Sequence, residues 1–234
     1  MAAHGPLAGL KVIELAHIMA GPICGLMLAD MGADVIKIEK VPDGDDTRRM
    51  VPPTVDGESA AFMILNRNKR GVALNLKSPG GKAVLEKMLA TADVVIENYR
   101  PGTMERFGLG YETLHKMNPA LIYCQVTGFG RTGPYANRAG FDLIAQGLSG
   151  IMSVTGEGAG RQPVKAGPPI TDISAGFLAA MGVLAAYVHR LKTGEGQLVD
   201  TSLLEAGVTT TYWQSAICLA TGKSPGAIGS AHPL

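Results

Sequence analysis

Four short segments of almost unbroken apolar character, spaced by stretches of helical periodicity, constrain this chain more than anything else in it. They are LKVIEL (10–15), DVIKIEK (34–40), DVVIENY (93–99) and ALIYCQVTG (120–128). A strand with one wet face alternates apolar and polar residues, whereas a strand covered on both faces does not. Between them lie helix candidates: GPICGLMLADMGA (21–33), closed by glycine; SPGGKAVLEKMLATA (78–92), opened by a Ser-Pro cap; and YETLHKM (111–117). Doubly covered strands alternating with helices predict a parallel sheet, and right-handed crossovers make it a Rossmann-like, doubly wound α/β fold with helices on both faces. The segment 41–61 reads as a loop. After residue 200 the pattern changes to one long helix, TSLLEAGVTTTYWQSAICLATG, and then to Gly- and Pro-rich KSPGAIGSAHPL. The expected organisation is a Rossmann-like large domain over 1–200, with 201–234 as helix and linker toward a small domain outside this chain.

Composition narrows the function classes. Hydrophobic residues make up 46% and charged residues 18% of the 234, with a formal charge of +1, so no basic face for nucleic acid is expected. Cys24, Cys124 and Cys218 are odd in number and lack metal-ligand spacing; they read as core thiols in a reducing compartment. No metal site is expected. The start MAAHGPLAGLK lacks the apolar core of a signal peptide, and the longest apolar run, 173–188, is too short for a bilayer. A cytoplasmic location is therefore expected, or the mitochondrial matrix if a presequence has been removed.

Two motifs need weighing. Gly128, Gly130 and Gly133 spell G-x-G-x-x-G after a strand. Pro134, Tyr135 and Asn137 then stand where a phosphate-facing helix should begin, so a nicotinamide site is not expected. AGPPITDISAGF (166–177) places an aspartate between a Gly-Pro-Pro turn and a long apolar helix ending in His189, Arg190 and Lys192. On its own the stretch predicts Thr171 or Asp172 as a structural N-cap.

Read together, GLKVIELAHIMAGP, LADMGADVIKIEK, GDDTR, NRNKRGVALNLK, DVVIENYRPG, MERFGLGYETL, NPALIYCQVTGFGRTGP and TDISAGFLAAMGVLAA resemble, in order, the class III coenzyme A transferases. The resemblance implies that this chain is an N-terminal part of a longer enzyme, and that it would be inactive and aggregation-prone alone. It places Asp172 on the family's catalytic aspartate. A carboxylate is ionised at neutral pH without a general base, and it would attack an acyl-CoA thioester directly. A helix N-terminus would keep it charged and offer N–H groups to the oxyanion.

The same resemblance assigns coenzyme A contacts. His17 and Ile18 match the entrance for pantetheine and nucleotide; Leu74, Asn98 and Tyr99 match positions around adenine and pantetheine. Lys40 stands where the family often has arginine, Arg106 matches a phosphate-binding arginine, and Arg138 is a looser match to a basic residue. Arg48 in GDDTR is read instead as a loop residue pairing with Asp45 or Asp46. Coenzyme A and its acyl thioesters are substrates here, with no permanently bound cofactor, and the implied assembly is an interlocked homodimer.

Two alternatives stay open. One is an α-methylacyl-CoA racemase on the same scaffold, which needs two acid–base groups about the α-carbon. The related racemases pair the aspartate with a histidine where this chain has Phe141, and Asp142 is read as the cap of the helix it opens. The other is a non-catalytic homologue that binds coenzyme A or dimerises.

Overall fold

A computed structural model describes residues 5–158 and 160–232. In chain order the elements are β1 (Lys11–Glu14), α1 (Ala20–Asp30), β2 (Asp34–Lys40), β3 (Thr54–Val55), β4 (Glu58–Ser59), α2 (Ala60–Asn66), β5 (Arg70–Leu74) and α3 (Pro79–Leu89). Then follow β6 (Val94–Glu97), α4 (Thr103–Arg106), α5 (Tyr111–Met117), β7 (Ile122–Thr127), α6 (Asp142–Leu148) and α7 (Ile170–Thr193). The last are β8 (Leu198–Ser202), α8 (Leu203–Thr210) and α9 (Tyr212–Thr221). A six-stranded sheet runs β5-β2-β1-β6-β7-β8, and β3 and β4 form a small hairpin. Each of the four pairings from β5 to β7 is parallel.

Counting only the strands of the large sheet, the order is 3-2-1-4-5-6, that of the Rossmann fold. The expected α/β class is therefore observed. The central strands β6 and β7 are buried along their whole length. Two sheet strands carry no clear signal in the sequence, β5 and β8, and they are the two edges. The 41–61 segment, expected as loop, contains a 3-10 turn at Asp46–Arg49, the hairpin, and the start of α2.

The chain divides into two compact units, residues 1–126 with 176–200, and residues 127–175 with 201–234. In the first unit, Leu15, Leu85, Leu89, Val95, Leu114 and Tyr123 anchor a core between sheet and helices. Ser78 caps α3 as expected, its hydroxyl accepting the Gly81 N–H at 3.1 Å. Helix α7 is longer than the 173–188 run and, among the described residues, is the one helix long and apolar enough to match a membrane span. Its inward residues Ala179, Val183 and Ala186 are buried within the fold. A side chain at Gly176 would collide with Ile23 and the Ala20 carbonyl, so α7 lies close against α1.

The second unit holds α6, the first turn of α7, α8 and α9. The single helix predicted after residue 200 is instead a strand, β8, followed by two helices that meet at Thr211. The Thr211 hydroxyl donates to the Val208 carbonyl at 2.8 Å, a local bond that competes with helix continuation. Cys24 and Cys124 are buried thiols as expected, but Cys218 on α9 is exposed.

Candidate active site

In a Rossmann sheet, ligands enter at the carboxyl ends of the strands where the strand order reverses, here between β1 and β6. The loops leaving those two strands carry His17, Ile18, Asn98 and Tyr99. They are tied together across this point. The Asn98 carboxamide accepts the His17 N–H at 2.8 Å and donates to the His17 carbonyl at 2.8 Å, while His17 Nε2 lies 3.3 Å from the Tyr99 hydroxyl. Ile18 sits at φ 65°, a left-handed conformation rare for a β-branched residue. Its N–H is held by the Asp45 carboxylate at 3.2 Å.

That conformation rests on a buried charge network. Lys37 Nζ reaches Glu14 at 2.9 Å, Asp45 at 2.8 Å and the Ala16 carbonyl at 2.7 Å, and Lys69 meets the other oxygen of Glu14 at 2.8 Å. Burial alone would raise the Asp45 carboxyl. The Lys37 charge and hydrogen bonds from Lys37 and Thr47 outweigh it and bring Asp45 down to about 2. His17 is pushed below its ordinary value by burial first and by Lys37 second, so it is neutral at pH 7.

Beside this network lies a groove of about 400 Å³. His17, Lys40, Leu74 and Tyr99 line it, bringing four of the sequence-assigned contacts into one cavity. Asn98 acts from behind as the clamp on His17. Arg106, exposed at the end of α4, donates to the hydroxyl of Thr103, which lines the groove. Lys40 is paired with Asp46 at 2.7 Å. Arg138 belongs to the second unit, exposed and stacked 4.1 Å above the Tyr135 ring. Arg48 does not pair with Asp45 or Asp46: it grips Glu39 with two bonds of 2.7 and 2.8 Å, and Asp45 is taken by Lys37.

Sequence reasoning misses Lys77, Thr103 and Phe107 in the groove wall. It also misses Lys37, whose one signal is a lysine inside an otherwise apolar strand.

Asp172 stands in the second unit, in the first turn of α7, which begins at Ile170. It is not the cap. The group that takes the orphan N–H groups there is Asp142, the first residue of α6. Asp142 Oδ1 accepts the Thr171 N–H at 2.9 Å, the Thr171 hydroxyl at 2.7 Å and, at 3.4 Å, the Asp172 N–H. Its other oxygen accepts from Gln146 Nε2 at 2.6 Å. Asp142 therefore caps α7 rather than its own helix, whose N-cap position is Phe141. Two expectations are corrected together. The helix N-terminus is already occupied by a carboxylate, so it does not hold Asp172 ionised. Burial, and then the Asp142 charge, raise Asp172 to about 7.

A doubly wound sheet with a groove at its switch point, edged by Lys40 and Lys77, and a carboxylate opening a long helix define the class: an α/β protein suited to an anionic, nucleotide-bearing ligand. The chain belongs to the family described as CoA-transferase family III, whose model matches residues 7–234. It is 48% identical to a succinate–glutarate CoA-transferase of Agrobacterium fabrum over 97% of this chain and 58% of that protein. To the succinyl-CoA:glutarate CoA-transferase of Homo sapiens it is 40% identical over 97% of this chain and 52% of that one. The crystal structure of a CAIB/BAIF family protein from Brucella suis superposes with a TM-score of 0.94 at 46% identity, covering 98% of this chain and 61% of that one. The chain thus spans little more than half the length of the curated relatives it matches.

Proposed function

We propose that this chain supplies the coenzyme A groove and the nucleophile of an acyl-CoA:carboxylate CoA-transferase. The observation that carries the reading is the coincidence of family and site. The family match runs over residues 7–234, and the groove of about 400 Å³ at the switch point gathers His17, Lys40, Leu74 and Tyr99.

In the proposed reaction an oxygen of ionised Asp172 attacks the thioester carbonyl carbon. An O–C bond forms, the C–S bond breaks, and the thiolate of coenzyme A leaves with the electron pair. The thiolate then attacks the aspartyl carbonyl of the mixed anhydride and releases the donor acid as a carboxylate. The aspartyl thioester is attacked in turn by the acceptor carboxylate, forming a second anhydride. Return of the thiolate to the acceptor's carbonyl yields the new acyl-CoA and regenerates Asp172. Charge is conserved at each step, and no second base is required.

Relatives named for succinate, glutarate and mesaconate support succinyl-CoA as donor and a short dicarboxylic acid as acceptor. Phe141, 63% exposed, carries no proton and so supports transfer over racemisation. The exposed Phe177, Met181, Val188 and Leu191 along α7 offer apolar surface for the homodimer that the family resemblance implies. Full-length protein incubated with succinyl-CoA and a panel of dicarboxylic acids should yield new thioesters. Hydroxylamine or borohydride trapping should place the adduct on Asp172. Absence of exchange with every donor and acceptor, or an adduct elsewhere, would sink the proposal.

A further inference from the structure

The first turn of α7 is bound by a side chain with no place in the reaction above. Gln146, completely buried on α6, donates to Asp142 at 2.6 Å and accepts the Ala166 N–H at 2.8 Å. Asp142 in turn accepts from Thr171, itself completely buried, and from the Asp172 N–H. One relay thus joins α6, the loop before α7 and the turn bearing Asp172. We infer that Asp142 is a positioning residue for Asp172: its carboxylate takes up the N–H groups opening α7, locks that turn to Gln146, and is the negative charge that acts on the nucleophile.

This inference rests on the reading of Asp172 as nucleophile and deepens it. A helix terminus left open would donate to a carboxylate and disperse its charge. With Asp142 in place, the described residues offer no hydrogen bond to the Asp172 carboxyl oxygens, so its lone pairs are left for the thioester. Charged side chains of the loop before α7 and of α8 have partners of their own. Lys165, in the loop before α7, donates to the Ala166 and Gly167 carbonyls. Glu205, on α8, accepts from Ser202 at 2.8 Å. Burial raises the Asp172 carboxyl, and among the described residues Asp142 is the charge that adds to it, bringing it to about 7. A carboxylate of higher basicity is also the stronger nucleophile, once deprotonated.

The test compares wild type with Asp142→Asn, which keeps the shape and the Oδ1 acceptor but loses the charge and the acceptor for Gln146 Nε2, and with Asp142→Glu, which keeps the charge. The rate of Asp172 adduct formation is followed from pH 4 to pH 9. In D142N the midpoint should fall by a unit or more, and the plateau rate by about tenfold, with KM for acyl-CoA within about twofold. D142E should keep the wild-type midpoint. A folded D142N with an unmoved midpoint would overturn the inference, because a merely structural cap changes rate or stability without moving it. If D142N does not fold, the Asp172 carboxyl in ¹³C-labelled wild type is titrated by NMR; an ordinary carboxylate midpoint overturns the inference. That titration involves no chemistry on a substrate. It separates failure here from failure of the nucleophile reading, which would show as no adduct on Asp172 at any pH.

Discussion

Lys37 Nζ lies 2.8 Å from Asp45 Oδ2, and both groups are buried, one on β2 and the other in the loop that follows it. The pair is not isolated, since Asp45 also holds the Ile18 N–H and Lys37 holds the Ala16 carbonyl. Two long-separated loops are therefore fixed by one ion pair, and the backbone beside the groove takes its shape from it.

Removing one partner should be costly. Lys37→Met keeps the length of the side chain but strands Asp45 in the interior and leaves Glu14 to Lys69 alone, a loss of about 3–5 kcal/mol. The Asp45 carboxyl should lose the largest of the causes holding it low and move up, Thr47 still donating to it. Stability from Asp45 in the native protein is present above the ordinary carboxylate value and lost as pH falls toward about 2. Urea unfolding at pH 7 measures the loss; a change under about 1 kcal/mol would show the network to be dispensable.

Asp172→Asn should trade activity for stability. Transfer falls below a few per cent, because the amide is no nucleophile. The raised Asp172 carboxyl binds its proton more tightly folded than unfolded. Its contribution is therefore complete below about pH 4 and is lost as pH rises through about 7. The variant should match wild type near pH 4 and exceed it by about 1–3 kcal/mol at pH 8, after allowance for partial exposure. Equal melting curves at pH 8 would remove the claim that the native carboxyl is strained when charged.

The contrast between what is legible in the sequence and what is not follows burial. Strands β6 and β7 are covered on both faces, and their apolar runs stand out. The edge strand β5, RGVAL, has three exposed residues of five and no fully buried one, so it carries no apolar signal. Strand β8 mixes Asp200 and Thr201 among its apolar residues for the same reason. At the site, resemblance points to Asp172 but misjudges its state. Burial raises the carboxyl first, and the charge that adds to burial, Asp142, lies thirty positions earlier and meets it only through tertiary packing. A local reading assigns Asp142 to its own helix, as capping preference dictates, and the fold gives it to another.

Glu97, at the end of β6, is buried and faces no cation among its described partners; the Tyr99 N–H donates to it at 2.8 Å and the Tyr123 hydroxyl at 3.4 Å. Burial raises it to about 7. Glu97→Gln retains an acceptor for Tyr99 and removes the charge. Wild type should lose stability between about pH 4.5 and pH 7, while the variant keeps it, with a gap of about 1–3 kcal/mol at pH 8. Urea titrations at pH 5 and pH 8 check this, and parallel pH dependence in both proteins would refute it.

Asn98→Ala tests the clamp across the switch point. The two carboxamide bonds to His17, each 2.8 Å, satisfy a part-buried N–H and carbonyl at once. Alanine leaves both without that partner, at a cost of about 1–3 kcal/mol, and releases the loop that presents His17 to the groove. Since the clamp shapes the groove and touches no reacting atom, the loss should fall on binding: KM for acyl-CoA rises about tenfold while kcat changes less than about threefold. The substitution Asn98→Asp should not restore the clamp. One carboxylate oxygen still accepts the His17 N–H, but the other would face the His17 carbonyl, two acceptors with no proton between them. The aspartate variant should therefore bind acyl-CoA no better than the alanine one. Steady-state kinetics of the two variants beside wild type decide the matter, and a KM unchanged in Asn98→Ala would place the coenzyme elsewhere than in this groove.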